Sequence, residues 1–364
     1  MQELTPRAAN LVRRKVNQWL PSCCACKERT NVISKRLNDI YLTVEASDKA
    51  FLDESDLAQL GIKLSPLSRE ADAEEENTTT FFRPLPTTEV GEINWNDVWP
   101  PHRLPDGSES SQISNAKDDS DKGLSDSEHS EQDTSDDGND DGDEEIMPRS
   151  SRPNAREIAF GVFKVRQQVW GRLLLAHKES PWNRIDFSLF WPRVPKVTTG
   201  SWPRHPYDWN AYYEFEIPSI LFPHMICKLQ NDTEPDERIS HGEVLTIAAY
   251  MEWRLRNLKY SVDYYVPMLV LSFFNSKARI LQASHDGKQL RIDMSELYDM
   301  KPTNRDNYEE LARWLFSTPC GKTREPIDIK GEKLDDRTVA TVRSRLVRAF
   351  ISMAHQESRR TQDV

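Results

Sequence analysis

The stretch HGEVLTIAAYMEWRLRNLKYSVDYYVPMLVLSFFNSKARILQASHDGKQLRIDM (residues 241–294) changes its hydrophobic period midway, and that change decides the fold. Over residues 243–257, Val244, Ile247, Ala248, Met251 and Leu255 recur at helical spacing. Three runs dense in aliphatic and aromatic side chains follow, at 264–274, 278–283 and 289–292, and read as strands. Asp286 and Gly287 between the last two are a hairpin-turn pair.

Downstream, residues 307–316 and 337–355 return to helical period, the second through Val339, Val342, Leu346, Phe350 and Met353. A short strand at 327–329 is expected between them. Upstream, Ile158, Val162, Val165, Val169, Leu173 and Ala176 mark one face of a long helix, and 211–217 reads as a strand. The order of helix, hairpin and strands, helix, short strand and helix predicts an α+β (mixed α/β) domain over 153–360.

The remainder of the chain has a different character. Residues 8–20 and 31–41 read as two short helices, with Pro21 ending the first, in a basic N-terminal region spanning 1–63. From 64 to 152 the periodicity vanishes, and Pro, Ser, Thr, Asp and Glu dominate. The apolar islands there are Phe81, Phe82 and residues 93–99, so a disordered acidic linker is expected.

Charge separates these regions. The 364 residues carry a net charge of −11, but residues 117–145 hold fourteen acids against two lysines, so the rest sums to about +1. That balance removes the simplest support for nucleic-acid binding. The sequence holds no run of 18 apolar residues, which predicts no transmembrane segment. The N-terminus lacks a signal-peptide core, and the five cysteines do not form a secreted disulfide framework. A cytoplasmic or nuclear home is expected.

Several motifs carry candidate chemistry. Arg13, Arg14, Lys15, Trp19 and Leu20 form a basic amphipathic helix that runs into Cys23, Cys24 and Cys26. Basic charge next to acylated cysteines is a two-signal arrangement for peripheral membrane attachment; the alternative is a reduced, half-packed cysteine cluster. The same cysteines lack the second pair or the nearby histidines that a structural zinc needs, and no metal site or cofactor is expected. Within the acidic run, Ser125, Ser130 and Thr134 each precede an acid by three residues, which suits an acid-directed kinase. The phosphorylated run would tune docking of a basic protein partner or of the basic N-terminus.

Residues 182–215 are rich in large rings interrupted by prolines. Trp191, Trp202, His205, Tyr207, Trp209 and Tyr212 would line a groove for a proline-rich peptide or a planar ligand, or else fill a core. Gly321, Lys322 and Thr323 lack the earlier glycine and preceding strand of a phosphate loop. His224 and Cys227 could form a thiolate pair, with no third group to complete it.

The helix, hairpin, helix, strand order after Glu243 resembles the nuclease fold with a Pro-Asp, Asp/Glu-x-Lys signature, in which two carboxylates hold Mg²⁺. Asp286, Lys288 and Asp293 lie in the right region, but no Asp/Glu-x-Lys lies on a strand that follows an Asp-bearing strand. The run from His241 to Met300, with Pro267, Met268, Leu269 and Val270, then Ala278, Arg279, Ile280 and Leu281, then Asp286, Gly287 and Lys288, then Leu297, Tyr298 and Asp299, resembles a broad group of filamentous-fungal proteins over roughly residues 207–323. No activity is assigned to that group, and some of its genes sit beside secondary-metabolite pathways. The resemblance implies an intracellular accessory protein with a peptide- or small-ligand-binding domain; a degenerate nuclease-like protein is the alternative.

Overall fold

Strand Met268–Phe273 is buried at all six positions, as a strand covered on both faces must be. In this computed structural model it is the middle strand of a sheet whose two faces carry separate cores. The structure describes residues 6–67, 80–99, 154–176, 182–184, 199–200, 209–216, 222–257 and 262–360. In chain order these form α1 (Pro6–Glu45), α2 (Glu54–Leu60), β1 (Ile62–Pro66), β2 (Phe82–Arg83), α3 (Thr87–Val90), α4 (Trp95–Val98) and α5 (Ala155–Leu175). Strands β3 (Asn183–Arg184), β4 (Thr199–Gly200), β5 (Trp209–Glu216) and β6 (Met225–Asn231) follow, then α6 (His241–Arg256). The remainder is β7 (Met268–Phe273), β8 (Lys277–His285), β9 (Leu290–Met294), β10 (Tyr298–Asp299), α7 (Arg305–Leu315), β11 (Thr318–Pro319) and α8 (Asp336–Arg360).

The sheet runs β1, β9, β8, β7, β6, β5, β3, with β10 also against β8 and β4 against β5. The β1/β9 and β6/β7 pairs are parallel; the others are antiparallel. The expected α+β architecture is therefore present, as a mixed sheet between helical layers. Alternation along the strands assigns the faces. Met268 and Val270 join Leu281, Ala283, Leu290 and Ile292 under α1 and α6. Leu269, Leu271 and Phe273 join Ala278 and Ile280 under α5 and α7. The face of α5 read from the sequence is the buried one: Ile158, Val162, Val165 and Val169 are fully enclosed.

Four expectations are corrected. First, α1 is one 40-residue helix with Pro21 inside it. A proline inside a helix costs about 3 kcal/mol through the lost hydrogen bond and the clash with the preceding turn. Here Leu20 and Cys23 pack on Val342, and Cys26, Ile33, Leu37, Ile40, Tyr41 and Val44 enter the core under α6, so tertiary burial carries the helix through.

Second, the expected linker begins inside a strand, because Leu64 to Pro66 pair with Ile292 to Met294. Residues 80–99 form a strap over the α5/α7 core, with Phe81, Phe82, Leu85, Val90, Ile93 and Val98 buried. The Gln282 side-chain oxygen accepts the Phe81 and Phe82 amides at 3.1 and 3.0 Å. Arg313 Nε donates to the Leu85 carbonyl at 2.6 Å, and the Leu85 amide to the Arg313 carbonyl at 3.1 Å. Residues 68–79 and 100–153 lie outside the described part. The packed core thus draws on both sides of the boundaries expected at 63 and 153.

Third, residues 327–329 form no strand; the short strand between α7 and α8 is β11, paired with β2 of the strap. Ile327 instead seals the core beside the β8/β9 turn. Fourth, that turn centres one residue later than Asp286 and Gly287. The Asp286 amide meets the Gln289 carbonyl at 3.3 Å, leaving Gly287 and Lys288 as the central pair. Gly287 has φ +90°, a conformation that glycine adopts without strain and that tight hairpin turns use. The Asp286 carboxylate caps the turn by accepting the amides of Lys288 and Gln289 at 2.8 and 2.9 Å. Among the described residues, no helix is long and apolar enough to cross a membrane.

Candidate functional site

The β8/β9 turn sits opposite the middle of α1 and the end of α2, and the three enclose a cleft of about 330 Å³. Arg36, Asp39, Ile40 and Thr43 of α1 form one wall, and Ala58, Gln59 and Leu60 of α2 with Gly61 form another. His285 and Lys288 close the third side.

Each wall has a local cause. Helix α2 opens with a capping box in which Asp53 accepts from the Ser55 and Asp56 amides while Asp56 accepts the Asp53 amide. It ends at Gly61, whose φ of +65° is the left-handed cap that glycine adopts without strain. The Gly61 carbonyl then accepts the Leu290 amide at 3.0 Å, which brings the end of α2 beside β9. Arg36 reaches from α1 to the Gly287 carbonyl, so the turn is clamped to the helix.

Electrostatics follow from burial. His285 is almost fully enclosed, and desolvation is the main cause that draws its pKa down to about 4; Asp286 opposes the shift and Arg36 adds to it. The ring is therefore neutral at pH 7. Its Nδ1 accepts the Gly287 amide at 3.0 Å, which leaves the proton on Nε2. The cleft is thus lined by a neutral imidazole, the Arg36 guanidinium and the exposed Lys288 ammonium, with Asp39 as an acid in the same α1 wall as Arg36. Such a set recognises an anionic oxygen group by charge-assisted hydrogen bonds.

The residues singled out in the sequence are distributed elsewhere. Trp191, Trp202, His205 and Tyr207 lie outside the described residues, as do Ser125, Ser130 and Thr134. Trp209 is buried against the first turn of α6 and is a core residue. Tyr212 lies on β5 opposite Lys228. Cys23 and Cys26 are buried and Cys24 is half-buried. Burial pushes the Cys26 thiol up to about 12 and raises Cys24 as well. Cys23 and Cys26 are thus enclosed where α1 packs on its neighbours, and burial holds Cys26 as the thiol rather than the thiolate that acylation uses.

His224 and Cys227 form no thiolate pair. His224 Nε2 lies 2.9 Å from the Cys320 carbonyl, while Cys227 Sγ points to the Lys228 carbonyl at 3.6 Å. Thr323 donates to Asp263 Oδ1 at 2.8 Å, so the Gly321 to Thr323 run is a structural turn.

The acids of the nuclease comparison are engaged in structure. Asp286 caps its turn and pairs with Arg291 at 2.9 Å, and Asp293 accepts from Gln282 at 3.1 Å. Among the described residues, no group of three or more His, Cys, Asp or Glu is arranged to hold a metal ion. Comparison of the chain with protein-family models, with curated proteins and with solved structures finds no match.

Arg36 and His285 escaped the sequence reading because nothing in their spacing links them. Residues 36, 61 and 285 meet only once β1 pairs with β9. The one local signal was the Asp286 and Gly287 turn pair, which Lys288 follows.

Proposed function

We propose that this chain is an accessory binding protein whose α/β body takes a small anionic group, a carboxylate or a phosphate, in the cleft between α1, α2 and the β8/β9 turn. The observation that carries this reading is that Arg36, Lys288 and His285, the last with its proton on Nε2, line one concavity. The volume falls at the lower end of small-ligand sites, about 300–1,000 Å³. Its wall of Ile40, Ala58 and Leu60 gives an apolar floor beside the polar donors. Asp39 suits a ligand that also carries an amine, as a peptide terminus or an amino acid does.

Calorimetric titration of the full chain with inorganic phosphate and with a short carboxylate-terminated peptide tests the reading. Saturable heat is expected with at least one probe. Lys288→Ala, at an exposed position of the turn, should weaken the binding by about tenfold, the worth of one charge-assisted contact. Absence of saturable heat with both probes at millimolar concentration contradicts the reading.

A further inference from the structure

The outer half of α1 packs on α8 rather than on the sheet. Leu20 and Cys23 enclose Val342, with Cys24 and Leu346 beside them. Lys15 Nζ lies 5.8 Å from the Phe350 ring centre, and the Glu332 amide donates to the Glu28 carbonyl at 3.1 Å. Contacts thus run from Glu28 to Lys15 on one helix as they run from Glu332 to Phe350 on the other chain segment, so the pair is antiparallel.

This pair carries charge of one sign. Between Pro6 and Lys27, α1 contains Arg7, Arg13, Arg14, Lys15 and Lys27 and no acid; between Arg337 and Gln356, α8 contains Arg337, Arg343, Arg345 and Arg348 and no acid. Arg13, Arg14, Arg343, Arg345 and Arg348 are exposed, and none of them enters an ion pair among the described residues. Like charges held together on a rigid two-helix surface repel each other and attract a polyanion.

The same chain contains a polyanion. Residues 117–145 hold fourteen acids against two lysines. Its centre near Ser130 lies 31 residues beyond Trp99 and 24 before Asn154, the flanking described residues. The shorter arm reaches up to ~80 Å when extended, more than the ~60 Å length of a 40-residue helix, so tethering does not prevent contact. A tether of this length also supplies an effective concentration approaching millimolar, which lets weak, distributed contacts hold.

We propose that residues 118–145 dock on the exposed basic surface of the α1/α8 pair, through Arg13, Arg14, Arg343, Arg345 and Arg348 distributed around the two helices. The contact is electrostatic and follows charge rather than a fixed register. Phosphorylation of Ser125, Ser130 or Thr134 adds roughly −1.5 to −2 charges at each site and strengthens it.

The test uses the full chain with a photoactivatable benzoylphenylalanine in place of Ser344, an exposed position between Arg343 and Arg345. Cross-linked peptides from 118–145 are expected by mass spectrometry at 50 mM salt. Their yield should fall at least fivefold at 0.5 M salt, where the screening length shrinks to about 4 Å. It should fall similarly in Arg343→Gln/Arg345→Gln/Arg348→Gln and, with the same probe, in Arg13→Gln/Arg14→Gln. Cross-links that are absent, or that persist unchanged in salt and in both variants, overturn the proposal. Phosphatidylserine vesicles provide the second arm. A chain with the acids of 118–145 changed to Asn and Gln should bind them at least fivefold more tightly than the wild type; equal binding identifies a lipid-facing surface and overturns the proposal.

Discussion

The Arg279 guanidinium closes on the Glu243 carboxylate, Nε to Oε1 at 2.8 Å, with both side chains excluded from solvent. The remaining guanidinium protons go to the Asp236 and Arg238 carbonyls at 3.0 and 2.8 Å. Glu243 also accepts the Ser240 amide at 2.7 Å as half of a capping box. One pair thus fixes the start of α6 to the central hairpin strand.

Arg279→Met leaves the Glu243 carboxylate buried without its partner. A loss of about 3–5 kcal/mol is expected, against less for the double change Glu243→Gln/Arg279→Met, which removes the stranded charge. Urea unfolding of the single and double variants reads the difference.

Acid should loosen the fold through two histidines. Burial draws both His224 and His285 down to about 4. The unfolded chain binds protons near pH 6.5 and the folded chain does not, so stability is complete above 6.5 and is lost as pH falls toward 4. For either histidine alone, the loss between pH 7 and 5 is about 2 kcal/mol. His285→Asn should flatten its share of the slope in denaturant midpoints measured across that range.

Asp263 acts in the opposite sense. It is fully buried, Oδ2 has no hydrogen-bond partner among the described residues, and desolvation lifts its pKa to about 6 despite Thr323 and Arg324. The folded chain then holds a proton that the unfolded chain has released, so stability falls as pH rises from about 3.8 to 6. Asp263→Asn should abolish that slope and stabilise the protein at pH 7 by on the order of 2 kcal/mol. An unchanged or lower denaturant midpoint at pH 7 would count against this account.

The strap should behave as core. Phe82 is buried against Trp182 and His224, with ring centres 6.1 and 5.3 Å away. Phe82→Ala is expected to cost about 3–5 kcal/mol, the range for a buried aromatic. A cost below 1 kcal/mol in urea unfolding would place residues 80–99 outside the cooperative unit.

The sequence disclosed the elements whose residues carry their own period. Helices α5, α6, α7 and α8 were legible because their apolar residues recur at helical spacing, and strands β7, β8 and β9 because they are short runs dense in aliphatic and aromatic side chains. The strap was not legible, because Phe81, Phe82, Leu85 and Val90 have no common period and the core they join is built largely from residues more than sixty positions away. Pro21 concealed the continuity of α1, since local chemistry predicts a stop that the packing on α6 and α8 overrides. The cleft was hidden for the same reason as the strap: Arg36, Gly61 and His285 become neighbours through the pairing of β1 with β9, which no local pattern announces.

The central claim is that the His285 Nε2 proton, Arg36 and Lys288 receive one anionic group. Nitrogen-detected NMR of the imidazole, followed while inorganic phosphate is titrated into the full chain at pH 7, tests it most directly. The account predicts a saturable shift of the His285 Nε2 signal, weakened about tenfold by Lys288→Ala. A His285 resonance that stays fixed to millimolar phosphate, while other surface signals move, would contradict it.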